Sequence, residues 1–297
     1  MIRRFFLFAT LAVFLISCRG QPASNAGTAA SVILTSTTIL ADVTRNITGD
    51  RLQVESILPI GADPHSYQAT PQDIAKISES KLIIVNGAKY EQFLTPLLDN
   101  ADGKATLIEA SSGIPPRTDA QHGVDPHMWL DPNLVINYVE NIREALTHFD
   151  PAGEAVYKSN ADAYIEKLKT LDAWIVQQVN QIPAEKRLLV TNHEAFGYLA
   201  ERYGFTVVGT VIESFSSEAS PSARQLAALI DQIKSSQAPA IFLDASDNTA
   251  LAQQIADETG VKVITDLHLE SLTNGAPAAT YIDMMEYNVT QIVNALK

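Results

Sequence analysis

The sequence predicts an α/β fold of two lobes, each with a roughly four-stranded parallel sheet flanked by helices, joined by one long rigid helix. Two observations predict it. From residue 31 onward, short apolar runs alternate with amphipathic helical stretches, a pattern typical of strands that helices cover on both faces. One uninterrupted helical pattern of about 30 residues then divides this alternation into two sets of strands.

The first lobe is predicted to alternate four strands with four helices. The strands are expected at Val32–Ser36, Val54–Leu58, Leu82–Asn86 and Thr106–Glu109. The helices are expected near 39–48, 71–79, 90–99 and 133–148. Thr70-Pro71 and Asp131-Pro132 each place a capping oxygen before a proline, which favours a helix start at that point.

The long helix is predicted from about Ala152 to Ile182. Asp150 is expected to cap its N-terminus, with Pro151 at the first helical position, and Pro183 is expected to end it. Its length of roughly 45 Å would cross a whole domain, and a helix resists bending more than a loop does. Apolar residues recur at spacings of three and four and form one stripe: Tyr157, Ala161, Tyr164, Ile165, Leu168, Leu171, Ile175, Val179 and Ile182.

The second lobe is predicted to repeat the alternation. Its strands are expected at Leu188–Asn192, Thr206–Val211, Ala240–Asp244 and Lys262–Thr265. Its helices are expected near 194–203, 221–236, 249–259 and 280–296, the second of them capped by Ser220-Pro221. The predicted organisation is therefore a first lobe at 31–150, a connecting helix at 151–183 and a second lobe at 184–297.

The first eighteen residues have the pattern of a bacterial export signal. Two arginines precede an apolar run from Phe5 to Ile16, which is too short for a membrane-spanning helix of about 20 residues. Leu15-Ile16-Ser17-Cys18 resembles a lipobox, in which the cysteine is lipidated; the alternatives are a signal peptide with an incidental cysteine or a buried helix. We therefore expect a signal peptide at 1–17, lipidation of Cys18, a tether at 18–30, and an extracytoplasmic protein anchored to a bacterial membrane.

Composition excludes several classes of function. The chain has 21 Lys+Arg against 34 Asp+Glu, a net charge of −13, which argues against nucleic acid as a partner. One cysteine allows neither an intramolecular disulfide nor a CxxC metal site. The sequence contains no GxSxG, P-loop or GxGxxG motif, and we do not expect an enzyme.

Three of the six histidines occur in similar contexts. Asp63-Pro64-His65 and Asp125-Pro126-His127 are expected in loops before helices, and His193 follows an apolar strand. Ligands of open α/β sheets collect at the carboxyl ends of strands. Asp63 and Asp125 can each accept the proton of the ring nitrogen that does not bind metal. The pattern predicts a site for a divalent first-row cation, with a carboxylate from Asp244, Asp266 or Glu270.

The chain resembles the zinc/manganese-binding solute-binding lipoproteins of ABC importers (cluster A-I, family 9). Five ordered blocks spread over residues 31–297 carry the resemblance: GADPHSYQATPQD, DPHMWLDP, TNHEAFGYLAERYG, IESFSSEASPSARQL and DLHLESL. The resemblance implies two α/β lobes that hold the metal ion between them with two ligands each. The histidine ligands fall on His65, His127 and His193. The fourth falls on Glu270, where the family usually has Asp; Asp244 is the other candidate for it and otherwise a supporting residue.

The ligand set suits more than one metal. Three imidazoles and one carboxylate suit tetrahedral zinc, whereas a bidentate glutamate would favour five-coordinate manganese or iron. Many zinc-specific members have a long histidine-rich loop before the second ligand, and here PPRTDAQHGVDPH has one extra histidine, His122. His122 is either a capture ligand or an ordinary loop residue, and His268 is a minor alternative ligand. We expect Zn²⁺ first and Mn²⁺ second.

The expected function is capture of a divalent metal ion by a monomer and its delivery to an ABC import permease. Three alternatives stay open at this stage. A zinc-dependent hydrolase would use the same histidines with Glu270 or Glu194 as its base. A binding protein for a larger ligand, such as a siderophore or corrinoid, would need a wide aromatic or Arg-lined cleft. A metal-dependent surface adhesin is a label that some relatives have.

Overall fold

Two four-stranded parallel sheets form the framework of the protein, in a computed structural model that describes residues 32–100 and 105–297. The strands of the first sheet are Ile33–Thr35 (β1), Val54–Ser56 (β2), Leu82–Val85 (β3) and Thr106–Glu109 (β4). They lie in the order β2-β1-β3-β4, and Ile33 pairs with both Val54 and Leu82. The predicted strands of this half are confirmed to within one or two residues.

Helices Thr38–Thr48 (α1), Pro71–Glu79 (α2), Thr95–Asn100 (α3) and Pro132–Phe149 (α4) belong to this half of the chain. Thr70 and Asp131 cap α2 and α4 as predicted. A short antiparallel hairpin, Thr118–Asp119 (β5) and Gly123–Val124 (β6), was not predicted, because strands of two residues leave no periodic pattern.

The long helix spans Glu154–Val179 (α5) and follows a 3₁₀ turn at Pro151–Gly153. The expectation that Asp150 caps it is wrong: the Asp150 carboxylate accepts hydrogen bonds from Arg51 and Tyr157 instead, and Gly153 stands at the N-cap position. The predicted apolar stripe is buried and packs against α1 and α4. We call the described residues before α5 the first half and those after it the second half.

The second half holds the strands Leu188–Thr191 (β7), Thr206–Thr210 (β8), Ala240–Asp244 (β9) and Lys262–Leu267 (β10), in the order β10-β9-β7-β8. Its helices are Gly197–Tyr203 (α6), Ala223–Ser236 (α7), Ala250–Thr259 (α8) and Tyr281–Leu296 (α9). The predicted cap at Ser220 is wrong. Ser222 caps α7, because Gln225 three residues later completes a reciprocal capping box that Ser220 has no partner to form.

Two helices begin three or more residues later than predicted, and in both cases the residues before the helix stay in the loop that follows a strand. The helix expected from residue 90 begins at Thr95, because Glu91 turns back to accept the backbone N–H groups of Asn86 and Gly87. The helix expected from residue 194 begins at Gly197. These loops stay non-helical at the C-terminal ends of β3 and β7, where side chains of the site described below are located.

One hydrophobic cluster extends through both halves. It includes Ile33 and Leu82 of the first sheet, Leu168 of α5, and Phe242 of the second sheet, each almost fully buried. The division into 31–150, 151–183 and 184–297 stays a prediction.

The predicted signal peptide at 1–17, the lipidated Cys18 and the tether at 18–30 lie outside the described residues. Among the described helices, none combines the length and the apolar character that crossing a bilayer requires.

Candidate metal centre

Four side chains meet where loops leave the C-terminal ends of strands in both sheets. His65 lies in the loop between β2 and α2, and His127 directly precedes a 3₁₀ turn at Met128–Leu130 that leads into α4. His193 follows β7 by two residues and Glu270 follows β10 by three. Two side chains therefore come from each half. This agrees with the observation that ligands of open α/β sheets collect at the carboxyl ends of the strands.

The four side chains form a group that could hold a metal ion. One ligand atom from each residue lies within 4.8 Å of all the others. The Oε1 atom of Glu270 is 3.3 Å from His193 Nε2, 3.4 Å from His127 Nε2 and 4.0 Å from His65 Nε2. These four atoms are buried and have no hydrogen-bond partner. Each unsatisfied buried polar atom costs about 1–3 kcal/mol in folding free energy. A cation bound among the four atoms would offset that cost.

Asp125 orients the ring of His127. Its Oδ1 atom lies 2.9 Å from His127 Nδ1 and also accepts the His127 backbone N–H at 3.0 Å. Both residues are fully buried. With Nδ1 donating to the carboxylate, Nε2 is the nitrogen that faces the centre, and once it has lost its proton it offers its lone pair to a metal ion. The predicted supporting contact of Asp125 is thus present.

Asp63 makes a different contact from the one predicted. It accepts the backbone N–H of His65 at 2.9 Å, and its other oxygen accepts a hydrogen bond from Ser217 Oγ at 2.8 Å. The ring of His65 therefore donates no hydrogen bond to Asp63, because one carboxylate oxygen accepts the His65 backbone N–H and the other accepts Ser217 Oγ of the second half. Asp63 fixes the loop of His65 rather than its tautomer.

Glu270 is held so that one oxygen remains for the centre. Tyr90 Oη donates to Glu270 Oε2 at 2.6 Å, whereas Oε1 faces the three imidazoles. Trp129 Nε1 donates to the carbonyl oxygen of Leu269 at 2.8 Å. Sequence reasoning missed Tyr90 and Trp129, although Trp129 stands in the DPHMWLDP block and Tyr90 follows a strand end.

Asp244 supports the Glu270 segment and offers no free oxygen. Its Oδ2 accepts the backbone N–H of Leu269, and its Oδ1 accepts both the backbone N–H and the hydroxyl of Ser246. With both oxygens occupied, Asp244 is not part of the four-residue group.

The other histidines and Asp266 lie apart from this group. His122 Nδ1 is 3.1 Å from both Asp119 and Glu194, and its ring packs against Phe215. His268 stacks near Tyr287, whose hydroxyl donates to Asp266.

A cavity of about 470 Å³ adjoins the centre on the side of His65. Tyr67, Tyr90, His122 and Phe215 are among its lining residues. His65 is the least buried of the four side chains, with 10% of its side chain exposed. The cavity thus gives the centre a route to solvent next to His65.

Charge in the centre is arranged around Glu270. Burial raises the pKa of Glu270, but the imidazoles of His127 and His193 close to its Oε1 atom outweigh burial and hold the pKa well below its usual range. Burial lowers the pKa of His65 to about 4. Burial lowers the pKa of His127 too, but the hydrogen bond to Asp125 and the nearby Glu270 carboxylate outweigh burial and raise the pKa to about 9. The metal-free centre near neutral pH is therefore a carboxylate paired with a protonated His127.

We expect metal affinity to rise with pH between 7 and 9. The ion must displace the proton of His127, whose pKa is about 9, so the apparent binding constant should increase about tenfold per pH unit and level off above pH 9. His65, with a pKa of about 4, is neutral throughout this range. Chelator-competition titrations with zinc at several pH values measure how the affinity depends on pH. An affinity that stays constant from pH 7 to 9 would contradict the assignment of His127 as a ligand that must lose a proton.

Comparison with known proteins gives a family match over nearly the whole described chain. The family described as "Zinc-uptake complex component A periplasmic" (ZnuA) matches residues 33–295. The manganese-binding lipoprotein MntA of Halalkalibacterium halodurans is 35% identical over 301 residues, which cover 98% of each chain. The iron-binding protein YfeA of Yersinia pestis is 36% identical over 264 residues, covering 88% of this chain and 84% of YfeA.

A solved structure has the same architecture. The periplasmic zinc-binding protein TroA of Treponema pallidum matches with a TM-score of 0.84 and 27% sequence identity, covering 90% of this chain and 99% of TroA. The three similar proteins are thus named for manganese, iron and zinc respectively. All three are metal-binding proteins, and none is named as an enzyme.

Proposed function

Because this chain belongs to the ZnuA family of metal-binding components of ABC importers, we propose that it captures a divalent transition metal ion with His65, His127, His193 and Glu270 and delivers it to an import permease. The observation that carries the proposal is the convergence of four buried, unpartnered ligand atoms on one point. Neutral imidazoles and one carboxylate are the donors that such ions prefer.

We propose zinc as the first candidate and manganese as the second. Tyr90 occupies Glu270 Oε2, which leaves three nitrogens and one oxygen, the set typical of four-coordinate zinc. The bidentate glutamate considered from the sequence would need that oxygen. Zinc also binds nitrogen ligands more tightly than manganese does. The relatives named for manganese and iron keep those metals as candidates.

Replacing Tyr90 with Phe is expected to shift the preference from zinc towards manganese. Without the hydroxyl, Glu270 Oε2 is free to approach the metal, which favours the higher coordination number of manganese. The ratio of the two dissociation constants should move by about tenfold, a usual size for loss of a residue behind a ligand. Competition titrations measure the ratio, with Tyr287→Phe as the control, because the Tyr287 hydroxyl donates to Asp266 apart from the ligand group. An unchanged ratio would count against this account of Tyr90.

Native mass spectrometry with metal competition tests the function itself. The wild-type protein is offered equimolar zinc, manganese and iron(II) after chelator treatment, and one ion per chain is expected. His193→Ala and Glu270→Ala should lose most of the bound metal. If the wild type binds none of the three metals, the proposed function is wrong; if both variants bind as the wild type does, the ligand assignment is wrong.

We further propose that the protein works outside the cytoplasm as a monomer, attached to the membrane by lipid on Cys18. The lipobox-like segment Leu15–Cys18 supports the anchor, as do the lipoprotein relatives. The centre is complete within one chain, and so it needs no second copy. The net charge of −13 is unsuited to nucleic acid.

The alternatives have less support than the transport function. A hydrolase needs an open coordination position and a free base, but Glu270 faces all three imidazoles and Glu194 lies beside His122. Nothing in residues 32–100 and 105–297, the part that the structure describes, favours an adhesin or a larger ligand over a metal ion.

A further inference from the structure

A line of polar contacts connects the protein surface to the metal centre through Arg117. We propose that Arg117 is a positioning residue for metal binding: it holds the His127 ring through Asp125 and ties that ring to helix α6 of the second half. This inference rests on the proposed function and adds to it a residue outside the ligand group.

Asp125 divides its two carboxylate oxygens between the centre and Arg117. Its Oδ1 atom receives the two hydrogen bonds from His127, and its Oδ2 atom lies 3.6 Å from Arg117 Nε. Asp125 is buried, with 1% of its side chain exposed, whereas the Arg117 side chain is 40% exposed. A buried carboxylate needs a compensating cation, and Arg117 supplies that charge from the surface side.

Arg117 is itself anchored on α6. Its backbone N–H donates to Tyr198 Oη at 2.9 Å, and the same hydroxyl donates to the carbonyl oxygen of Asp125 at 3.0 Å. The guanidinium lies over the Tyr198 ring, 5.7 Å from its centroid, and donates to the Glu201 carboxylate. Tyr198 and Glu201 belong to the second half, whereas Arg117 and Asp125 belong to the first, so the link joins the halves without any metal.

Gly197 leaves the space that this ion pair occupies. A Cβ atom at Gly197, the first residue of α6, would lie 2.6 Å from Asp125 Oδ2 and 2.7 Å from Arg117 Nε. Its backbone is not in the left-handed region, so no conformational demand requires glycine there. Glycine at this position is therefore explained by the close approach of Arg117 and Asp125, which leaves no room for a Cβ atom.

The contacts define what Arg117 does for the centre. Asp125 can hold the His127 ring only as firmly as Asp125 is itself held, and Arg117 and Tyr198 contact Asp125 at atoms other than the Oδ1 that binds His127. Residues behind a metal ligand typically change metal affinity by about 10- to 100-fold. Because Arg117 stands one contact further out, we expect the lower end of that range, seen as faster release of the ion.

Two substitutions and a matched control test the inference. Arg117→Gln removes the charge, and Gly197→Ala pushes the pair apart while both partners remain. The control is Arg202→Gln. Arg202 also lies over a tyrosine ring, that of Tyr203, and pairs with Asp172, and its side chain is 39% exposed. Neither contact involves a residue of the metal centre. Stopped-flow transfer of zinc to excess chelator gives the dissociation rate, and NMR of the zinc-loaded protein gives the resonance of the His127 Nδ1 proton.

Both Arg117→Gln and Gly197→Ala should release zinc about tenfold faster than the wild type, and Arg202→Gln within about twofold of it. In Arg117→Gln the His127 Nδ1 proton should also move downfield, because Asp125 without its cation becomes a stronger acceptor. If the wild type binds no zinc, the proposed function itself fails. If the wild type binds zinc and both variants keep its release rate and resonance, the inference on Arg117 fails alone, even if their metal-free melting temperatures fall.

Discussion

Glu270→Gln is expected to weaken zinc binding by between about 100-fold and several thousand-fold. The substitution keeps the shape of the side chain but removes the one negative charge that faces the three imidazoles. Removing one partner of a fully buried charge interaction costs about 3–5 kcal/mol, and every 1.4 kcal/mol is a factor of about ten in the dissociation constant. Chelator-competition titration at fixed pH measures the change.

Two neighbouring carboxylates are the controls for this experiment. Asp244→Asn removes a charge beside the Glu270 segment, but both Asp244 oxygens are already occupied, so the loss should stay below about tenfold. Asp266→Asn changes an exposed residue that binds Tyr287 and should leave the affinity unchanged. If Asp244→Asn weakened binding as strongly as Glu270→Gln, Asp244 would be the better candidate for the fourth ligand.

The sequence predicted those parts of the centre that depend on local pattern. Each histidine stands in a loop next to a strand or helix whose apolar pattern is clear, and the carboxyl ends of parallel strands meet at one edge of a sheet. His65, His127 and His193 could therefore be expected to converge. The predicted strands around them needed only local signals, and Thr70 and Asp131 are confirmed as caps, whereas Asp150 and Ser220 are not.

What the sequence could not predict depends on contacts between distant segments. Tyr90 and Glu270 are separated by 180 positions, and no periodicity in either segment indicates that one hydroxyl occupies one carboxylate oxygen of the other. Asp63 has the same local motif as Asp125, yet Ser217 of the second half turns its carboxylate away from the ring. Identical local chemistry thus gave two different contacts, and the packing of the second half decided between them.

Leu168→Ala in the long helix α5 is expected to lower the free energy of unfolding of the metal-free protein by about 2–5 kcal/mol. Leu168 is completely buried in α5 and belongs to the hydrophobic cluster that includes residues of both halves. Lys169→Ala is the matched control, because Lys169 is exposed and makes only a surface ion pair with Glu166, worth less than about 1 kcal/mol. Urea titration followed by circular dichroism measures both variants.

The same titration tests whether α5 unites the halves into one cooperative structure. Since the cluster around Leu168 is continuous from the first sheet through α5 to the second sheet, the cavity left by alanine should weaken both halves together. We therefore expect one unfolding transition that moves to lower urea with an unchanged slope. Two separated transitions in Leu168→Ala, only one of them shifted, would mean that the halves unfold independently and that α5 belongs to one of them.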